Sequence, residues 1–249
     1  VDTSTQSSRQ LAEMMVGEKV GDVSRGASLG GGKTLLTIKG LARPRETQFA
    51  TALQDISMQA RSGEILGIAG IAGNGQDELM ETLIGEWRSD QAGVIMLDGH
   101  DISRERPAAR RNAGLGFVPE ERNGHAAVTS MTLADNALLT SHSLGDVVRR
   151  GVIDGAQTRQ KAGEIAAAYD VRLPGENPVA SALSGGNLQK FSVGREIAQK
   201  PGVLVINQPT WGVDAGSAAA IQESILALAA EGAAVVVISQ DLDEIFAIA

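Results

Sequence analysis

A short apolar run, a glycine-rich turn and an amphipathic helix follow one another at residues 62–85, and this order constrains the fold more than any other stretch. Residues 65–69 are apolar, as expected of a buried strand in a parallel sheet. Leu79, Leu83 and Ile84 then fall on one face of a predicted helix. A strand that enters a glycine turn and opens a helix is the setting of a phosphate-binding loop. The sequence therefore predicts an α/β fold built around such a loop.

The turn keeps the glycines of the pattern GxxxxGK[ST] but loses its lysine and its hydroxyl. The glycine positions and the loop between them are represented by Gly70, Gly73, Asn74 and Gly75. Gln76 stands where the lysine should reach the phosphates, and Asp77 stands where the hydroxyl should meet Mg²⁺. The backbone N–H groups and the helix dipole survive these changes, so the pattern indicates weak phosphate binding. Asp77 either ligates Mg²⁺ directly or repels the nucleotide, and the sequence leaves both readings open.

A second glycine turn has the sequence LSGGNLQK at residues 183–190 and leads into a helical pattern at residues 191–198. Two adjacent glycines let backbone N–H groups approach an anion, while a serine adds a hydroxyl and the helix N-terminus a positive dipole end. Three of these residues alone, Ser-Gly-Gly, are also compatible with an ordinary turn before a helix. The whole octapeptide favours a second anion site, formed by Ser184, Gly185, Gly186 and Asn187.

This octapeptide resembles the signature motif of ATP-binding cassette (ABC) proteins, which clamps the γ-phosphate of an ATP bound to a partner domain. Pro-Glu-Glu-Arg at residues 119–122 and QPTWGVD at residues 208–214 are similar to segments in the second cassette of bacterial simple-sugar and nucleoside importers. The resemblance covers nearly all of residues 35–249. It implies an α/β fold with a RecA-like P-loop core, a parallel sheet, an antiparallel β edge and an inserted α-helical subdomain.

The resemblance also divides the chain. It implies a core at residues 35–124 and 183–249, with the helical subdomain at residues 125–182. Residues 1–34 resemble the end of a preceding cassette followed by a linker, so we expect the chain to begin inside a longer polypeptide and to stop before the family's usual C-terminal elements. The Gly-Gly-Lys-Thr at residues 31–34 precedes a strand and opens no helix, and it is interpreted as part of the flexible linker.

Several local patterns fill in this outline. Residues 7–16 have a short helical pattern, and helices are predicted at residues 130–139 and 158–171, with Met131 in their core. Residues 94–103 are predicted to form a hairpin whose turn is Asp98-Gly99. Phe49 is the candidate for the aromatic residue that stacks on the base in this family.

The positions that perform chemistry in an active cassette are altered here. Glu120 stands where the family has a glutamine that touches Mg²⁺ and the attacking water and senses the permease, although a charged surface turn is the alternative. Asn207 and Gln208 replace the family's Asp and Glu, and Gln240 replaces its switch histidine. Amides cannot accept a proton at neutral pH, so general-base catalysis at this site is lost. Asp214 matches the D-loop, which crosses to the partner cassette.

The signature is intact, whereas the ATP site at this chain's own P-loop, called the home site below, is altered. This contrast predicts different roles for two cassettes arranged head to tail. The signature would complete the competent ATP site of the partner cassette, with ATP and Mg²⁺ bound at that composite site and no metal ligand assigned in this chain. The expected partners are another cassette, namely the N-terminal half of the same polypeptide, transmembrane permease subunits and, indirectly, a solute-binding protein. The expected location is peripheral, on the cytoplasmic face of the bacterial inner membrane. The full-length protein would hydrolyse ATP, and this fragment alone would be inactive.

Two other classes of function stay open, namely a soluble ABC ATPase of DNA repair or chromosome structure and a regulatory domain that does not hydrolyse nucleotide. Proteins of the first class interrupt the cassette with zinc modules or long coiled coils, whereas this chain has no cysteine and no long heptads. The formal charge of −8 argues against a nucleic-acid partner. No apolar run reaches the roughly 18 residues of a membrane span.

Overall fold

The structure, a computed structural model, describes residues 32–144 and 147–249. The helical pattern at residues 7–16 and most of the expected linker lie outside the described residues. The strands are β1 Thr34–Arg43, β2 Leu53–Arg61, β3 Ile65–Ala69, β4 Ile95–Leu97, β5 His100–Asp101, β6 Leu115–Val118, β7 Val148–Arg149, β8 Val152–Ile153, β9 Val203–Asn207 and β10 Ala234–Ser239. The α-helices are α1 Gln76–Ile84, α2 Pro107–Asn112, α3 Leu133–Ser141, α4 Gly155–Ala168, α5 Gly185–Ile197, α6 Ala215–Ala230 and α7 Leu242–Ile248.

A parallel sheet with the strand order β3-β10-β9-β6 forms the centre of the molecule. All five residues of β9 and all six of β10 are buried, which is why both strands are almost entirely apolar. Their carboxyl ends lie at one edge of the sheet, where parallel α/β proteins place their site residues. The loop that precedes α1 also leaves β3 at this edge.

An antiparallel sheet with the order β2-β1-β4-β5 packs beside the parallel one. The predicted hairpin at residues 94–103 is confirmed: β4 and β5 pair around Asp98 and Gly99, whose φ angles of +47° and +83° suit a tight hairpin turn. The side chains between the two sheets form one hydrophobic cluster with α1. The fold is thus an α/β fold with a parallel central sheet and an antiparallel β edge, as the sequence predicts.

Residues 125–182 contain α3 and α4 and have a hydrophobic cluster of their own, which also takes in Leu188 and Phe191 of α5. Val193 of α5 belongs instead to the cluster around the parallel sheet. Helix α5 therefore packs against both parts of the molecule, and a rigid helix connects the glycine turn at its start to the core. None of the described helices is long and apolar enough to span a bilayer.

Five expectations about local structure need correction. The helix predicted from residue 191 already begins at Gly185, because the Ser184 side chain caps it. The helix predicted from residue 158 begins at Gly155, since the Asp154 side chain accepts from the N–H groups of Ala156 and Gln157.

The helix predicted from residue 130 begins later, at Leu133, because Thr132 and Asp135 form a capping box. The strands β7 and β8 also form a short hairpin within a region that was predicted to be helical. Met131, expected in the core, is 39% exposed, since it lies in the turn just before the capping box.

Candidate functional site

The turn between β3 and α1 has the backbone of a phosphate-binding loop. Gly73 and Gly75 have φ angles of +81° and +103°, conformations that glycine adopts without strain. The Thr51 hydroxyl donates to the Gly73 carbonyl at 2.9 Å, and the Thr51 N–H donates to the Glu78 carboxylate at 2.6 Å. These two bonds fix the loop against residues 47–52, the segment that also carries the exposed Phe49.

The Gln76 side chain folds back into this loop. Its Oε1 accepts from the N–H of Asn74 at 3.1 Å, and its Nε2 donates to the Ile71 carbonyl at 2.9 Å. Asn74 Nδ2 donates to the same carbonyl at 2.9 Å. A Cβ on Gly70 would collide with Gln76 Nε2, so glycine at position 70 makes room for this amide. Gln76 Oε1 thus accepts from an N–H group of the loop that would otherwise be available to a phosphate oxygen.

Asp77 faces the end of β9. Asn207 Nδ2 donates to Asp77 Oδ1 at 3.4 Å, while Asn207 Oδ1 is buried without a hydrogen-bond partner among the described residues. Burial, followed by the nearby carboxylates of Glu78 and Glu81, raises the pKa of Asp77. Burial and the charge of Asp77 also raise the pKa of Glu120. The electrostatic environment at this edge of the sheet is therefore already negative.

Gln208 and Gln240 lie at the same edge, with Gln76, Asp77 and Asn207. Together these residues line a small cleft of about 20 Å³, which is room for about one water molecule. The Gln208 side chain is only 5% exposed, and its backbone adopts a φ of +51°. Within residues 32–144 and 147–249, no lysine or arginine lines this cleft or the adjoining 480 Å³ groove that Glu120 and Glu121 border.

The family resemblance implies ATP with Mg²⁺, and the home site fits this pair poorly. The oxygen atoms of Asp77, Glu120 and Asn207 are of the type that Mg²⁺ prefers. In the described part of the chain, however, no three acidic, histidine or cysteine side chains are grouped so that they could hold one metal ion. A triphosphate would meet carboxylates without a compensating cation. Among the described residues that line the cleft, none supplies a positive charge to a bound phosphate.

The glycine turn at the start of α5 is built differently. Ser184 Oγ accepts from the side chain of Asn187 at 2.9 Å and, at 3.4 Å, from its backbone N–H. The Asn187 Oδ1 accepts from the Arg172 N–H at 2.9 Å, which holds the asparagine in place. Because both bonds use the lone pairs of Ser184, its hydroxyl proton remains available to an anion. Ser184 and Gly185 are exposed, so the turn is accessible from outside.

A buried hydrogen bond connects the helix that follows this turn to the segment beside the home site. Gln189 Nε2 donates to the carbonyl of Pro209, which follows Gln208 directly, at 2.9 Å. Asp214 caps α6, since its carboxylate accepts from the N–H and the hydroxyl of Ser217 at 2.9 and 2.8 Å. These two bonds lower the pKa of Asp214.

The sequence reading missed Glu244. This residue is 4% exposed, and its carboxylate accepts hydrogen bonds from Ser239 Oγ and Thr210 Oγ1, both at 2.6 Å. It therefore joins the end of β10, next to Gln240, to the segment after Gln208. The only sequence signal is an acidic residue in the first turn of α7, which alone indicates no more than a helix start.

Comparisons with known proteins agree on one family. The family model described as "ABC transporter" matches residues 53–211, which is more than half of the chain. The nucleoside import ATP-binding protein NupA of Lactococcus lactis subsp. cremoris is 37% identical over 245 residues, which cover 98% of this chain and 48% of NupA. The glucose import ATP-binding protein TsgD13 of Haloferax volcanii is 37% identical over 247 residues, 98% of this chain and 44% of TsgD13. The chain thus spans about half the length of these curated relatives.

The fold has close counterparts among solved structures. The dimeric structure of MJ0796, a bacterial ABC transporter cassette, superposes with a TM-score of 0.72 over 86% of this chain and 91% of that one. The sequence identity between the two is 20%, so this likeness concerns the fold alone.

Proposed function

Because the chain belongs to the ABC transporter family of ATP-binding proteins, we propose that it is a nucleotide-binding domain of an importer for simple sugars or nucleosides. Relatives that match nearly the whole chain are named as import proteins for a nucleoside and for glucose. Each of them is about twice as long as this chain. This length supports a polypeptide of two cassettes. The segments at residues 119–122 and 208–214 favour the second of them, with the N-terminal cassette as its head-to-tail partner.

The domain works with a degenerate ATP site of its own and an intact signature. The observation that carries this proposal is the contrast between two glycine turns of the same chain. In the first, the Gln76 amide occupies the loop, and the charged side chains that line the cleft are Asp77 and Glu120. In the second, Ser184 retains a free hydroxyl proton at the N-terminus of the 13-residue helix α5.

ATP and Mg²⁺ are bound at the composite site, on the P-loop of the partner cassette. Ser184 and the N–H groups in the first turn of α5 donate to the terminal phosphate, and Asn187 holds the serine in position for this. Hydrogen-bond donors and a helix N-terminus stabilise negative charge that develops on phosphoryl oxygens. Within the home site, Asn207 and Gln208 supply no general base, so hydrolysis takes place at the composite site only.

The permease subunits dock near the loop after β6. Glu120 and Glu121 border a groove of 480 Å³ together with Trp211, next to the home site. A permease segment in this groove would contact Glu120, the residue at the family's permease-sensing position. The domain is then a peripheral protein on the cytoplasmic face of the membrane, and a solute-binding protein acts on it only through the permease.

Reconstitution tests this proposal. The chain, co-expressed with its partner cassette and the permease subunits, should co-purify with both, and the complex should hydrolyse ATP and import a sugar or a nucleoside. A complex that forms and transports equally well without residues 35–249 would overturn it. Nucleotide titration of the chain alone separates this function from a regulatory one, because tight nucleotide binding at the home site would favour regulation.

A further inference from the structure

The guanidinium of Arg122, in the loop after β6, lies between two glycines of other segments. A Cβ on Gly185, the first residue of α5, would lie 2.8 Å from Arg122 Nη1. A Cβ on Gly212 would lie 3.0 Å from Arg122 Nη2. The first distance is shorter than real Cβ contacts and the second is tighter than most of them, so both glycines leave space for the guanidinium. Arg122 therefore lies directly beside the start of α5, the helix that begins within the signature motif.

Among the described residues, this guanidinium has no hydrogen-bond acceptor. Across residues 32–144 and 147–249, Arg122 forms no side-chain hydrogen bond and no ion pair, and the neighbouring Glu121 lies 3.4 Å from His125 instead. Burial lowers the pKa of Arg122, and no carboxylate opposes this effect. An arginine nevertheless stays charged at neutral pH, so the half-buried charge lacks a counter-ion.

The surroundings make this unpaired charge more costly. The first turn of α5 carries the positive end of the helix dipole, which disfavours a cation nearby. The Ser184 hydroxyl proton also remains undonated at this place. Three features that favour an anion thus converge, and no side chain in the described part of the molecule provides an anion to them. A guanidinium offers several N–H donors in a planar fork that matches the oxygen atoms of a phosphate.

We propose that Arg122 is a catalytic residue in trans, which binds the terminal phosphate of an ATP held by the partner cassette, together with Ser184 and the first-turn amides of α5. This inference rests on the proposed function, because the phosphate reaches the signature only in the head-to-tail pair. It adds a formal positive charge to the neutral donors that this chain supplies to the phosphate. The contact is specific for ATP, since ADP has no terminal phosphate at that position.

The test compares variants in the assembled transporter. Arg122→Gln should lower kcat for ATP hydrolysis about ten- to a hundred-fold, the effect of one charge-assisted hydrogen bond to phosphate. Arg122→Lys keeps the charge but loses the fork, so it should retain an intermediate rate. Arg88→Gln is the matched control, because Arg88 is exposed and takes part in no site described above; its rate should equal that of the unmodified protein.

Nucleotide affinities distinguish a phosphate contact from a structural role. Arg122→Gln and Arg122→Lys should weaken the binding of ATP, measured by equilibrium competition, while the affinity for ADP stays within about twofold. Equal losses for ATP and ADP, or an unchanged rate in Arg122→Gln, would overturn the proposal. Ser184→Ala is measured in parallel. If Ser184→Ala reduces the rate and Arg122→Gln leaves it unchanged, only the proposed role of Arg122 is rejected. Unchanged rates in both reject the proposed function as well.

Discussion

Asp77 and Asn207 are altered together, and the structure gives a physical reason. Asn207 is 2% exposed and donates to the Asp77 carboxylate. An aspartate at position 207 would place a second carboxylate against Asp77 at a site whose lining includes no lysine or arginine. The amide removes that repulsion, at the cost of a buried Oδ1 without a partner. A neutral amide therefore faces the carboxylate of Asp77.

Asn207→Asp should therefore destabilise the chain in a pH-dependent way. Burial and Asp77 raise the pKa of the new carboxyl in the folded state, so its protonated form is favoured there. The loss in the free energy of unfolding is small below the ordinary pKa of aspartate. It grows as the pH rises from that value to the raised pKa of the folded state. We expect a loss of about 1–3 kcal/mol at pH 8. Urea unfolding at pH 5 and pH 8 measures it.

The double variant Asp77→Asn/Asn207→Asp is the control. It restores one carboxylate facing one amide, so it should recover most of the stability at pH 8. If Asn207→Asp alone costs the same at both pH values, charge repulsion is not the reason why the amide is tolerated.

Gln76→Lys should partly restore nucleotide binding by the chain. The lysine supplies a cation for the phosphates and frees the N–H of Asn74, so the affinity for ATP should rise about ten- to a hundred-fold in calorimetry. Gln76→Met, which frees the same N–H without adding a charge, should gain much less. An affinity in Gln76→Lys that stays within twofold of the unmodified chain would contradict this account of the home site.

The residue positions of the site follow from the motifs, whereas their contacts do not. Gln76 and Asp77 stand out in the sequence because they replace a lysine and a hydroxyl residue in a known pattern. The hydrogen bond from Gln76 Nε2 to the Ile71 carbonyl depends on the side-chain rotamer of Gln76 and on the space that Gly70 leaves. Glu244 contacts residues of other segments, and Arg122 lies beside the distant Gly185 and Gly212. A single sequence carries no signal for either arrangement.

At the scale of elements, Glu244 connects α7 to the ends of β9 and β10. Its two carboxylate oxygens accept from Ser239 and Thr210. Glu244→Gln leaves one oxygen for two hydroxyls, so it should lower the free energy of unfolding by about 1–2 kcal/mol. Asp243→Asn, the same chemical change at an exposed neighbour, should cost less than about 0.5 kcal/mol. Equal urea midpoints for the two variants would show that Glu244 has no such role.

The type and place of the main elements could be predicted, and their ends could not. The runs that become β3 and β9 are apolar and short, which indicates buried parallel strands. Helix starts depended on capping side chains such as Ser184 and Asp154, which extended two helices beyond the predicted bounds. The β7–β8 hairpin has strands of two residues each, too short for any periodicity to appear.

At the scale of the whole molecule, the chain alone should not hydrolyse ATP above the buffer rate. Asn207, Gln208 and Gln240 offer no general base, and the signature faces no nucleotide in the absence of the partner. Release of inorganic phosphate from the purified chain measures this. Steady turnover that Gln76→Ala abolishes would show that the home site is a working one.

The central claim is that this domain acts through its signature and not through its own P-loop. The most direct measurement is the ATPase rate of the assembled transporter with three variants side by side: Ser184→Arg, Gly186→Asp and Gln76→Ala. The first two block the donors at α5, and each should reduce the rate by about 10²–10³-fold. Gln76→Ala should leave the rate nearly unchanged. A loss in Gln76→Ala as large as in the two signature variants would contradict the account.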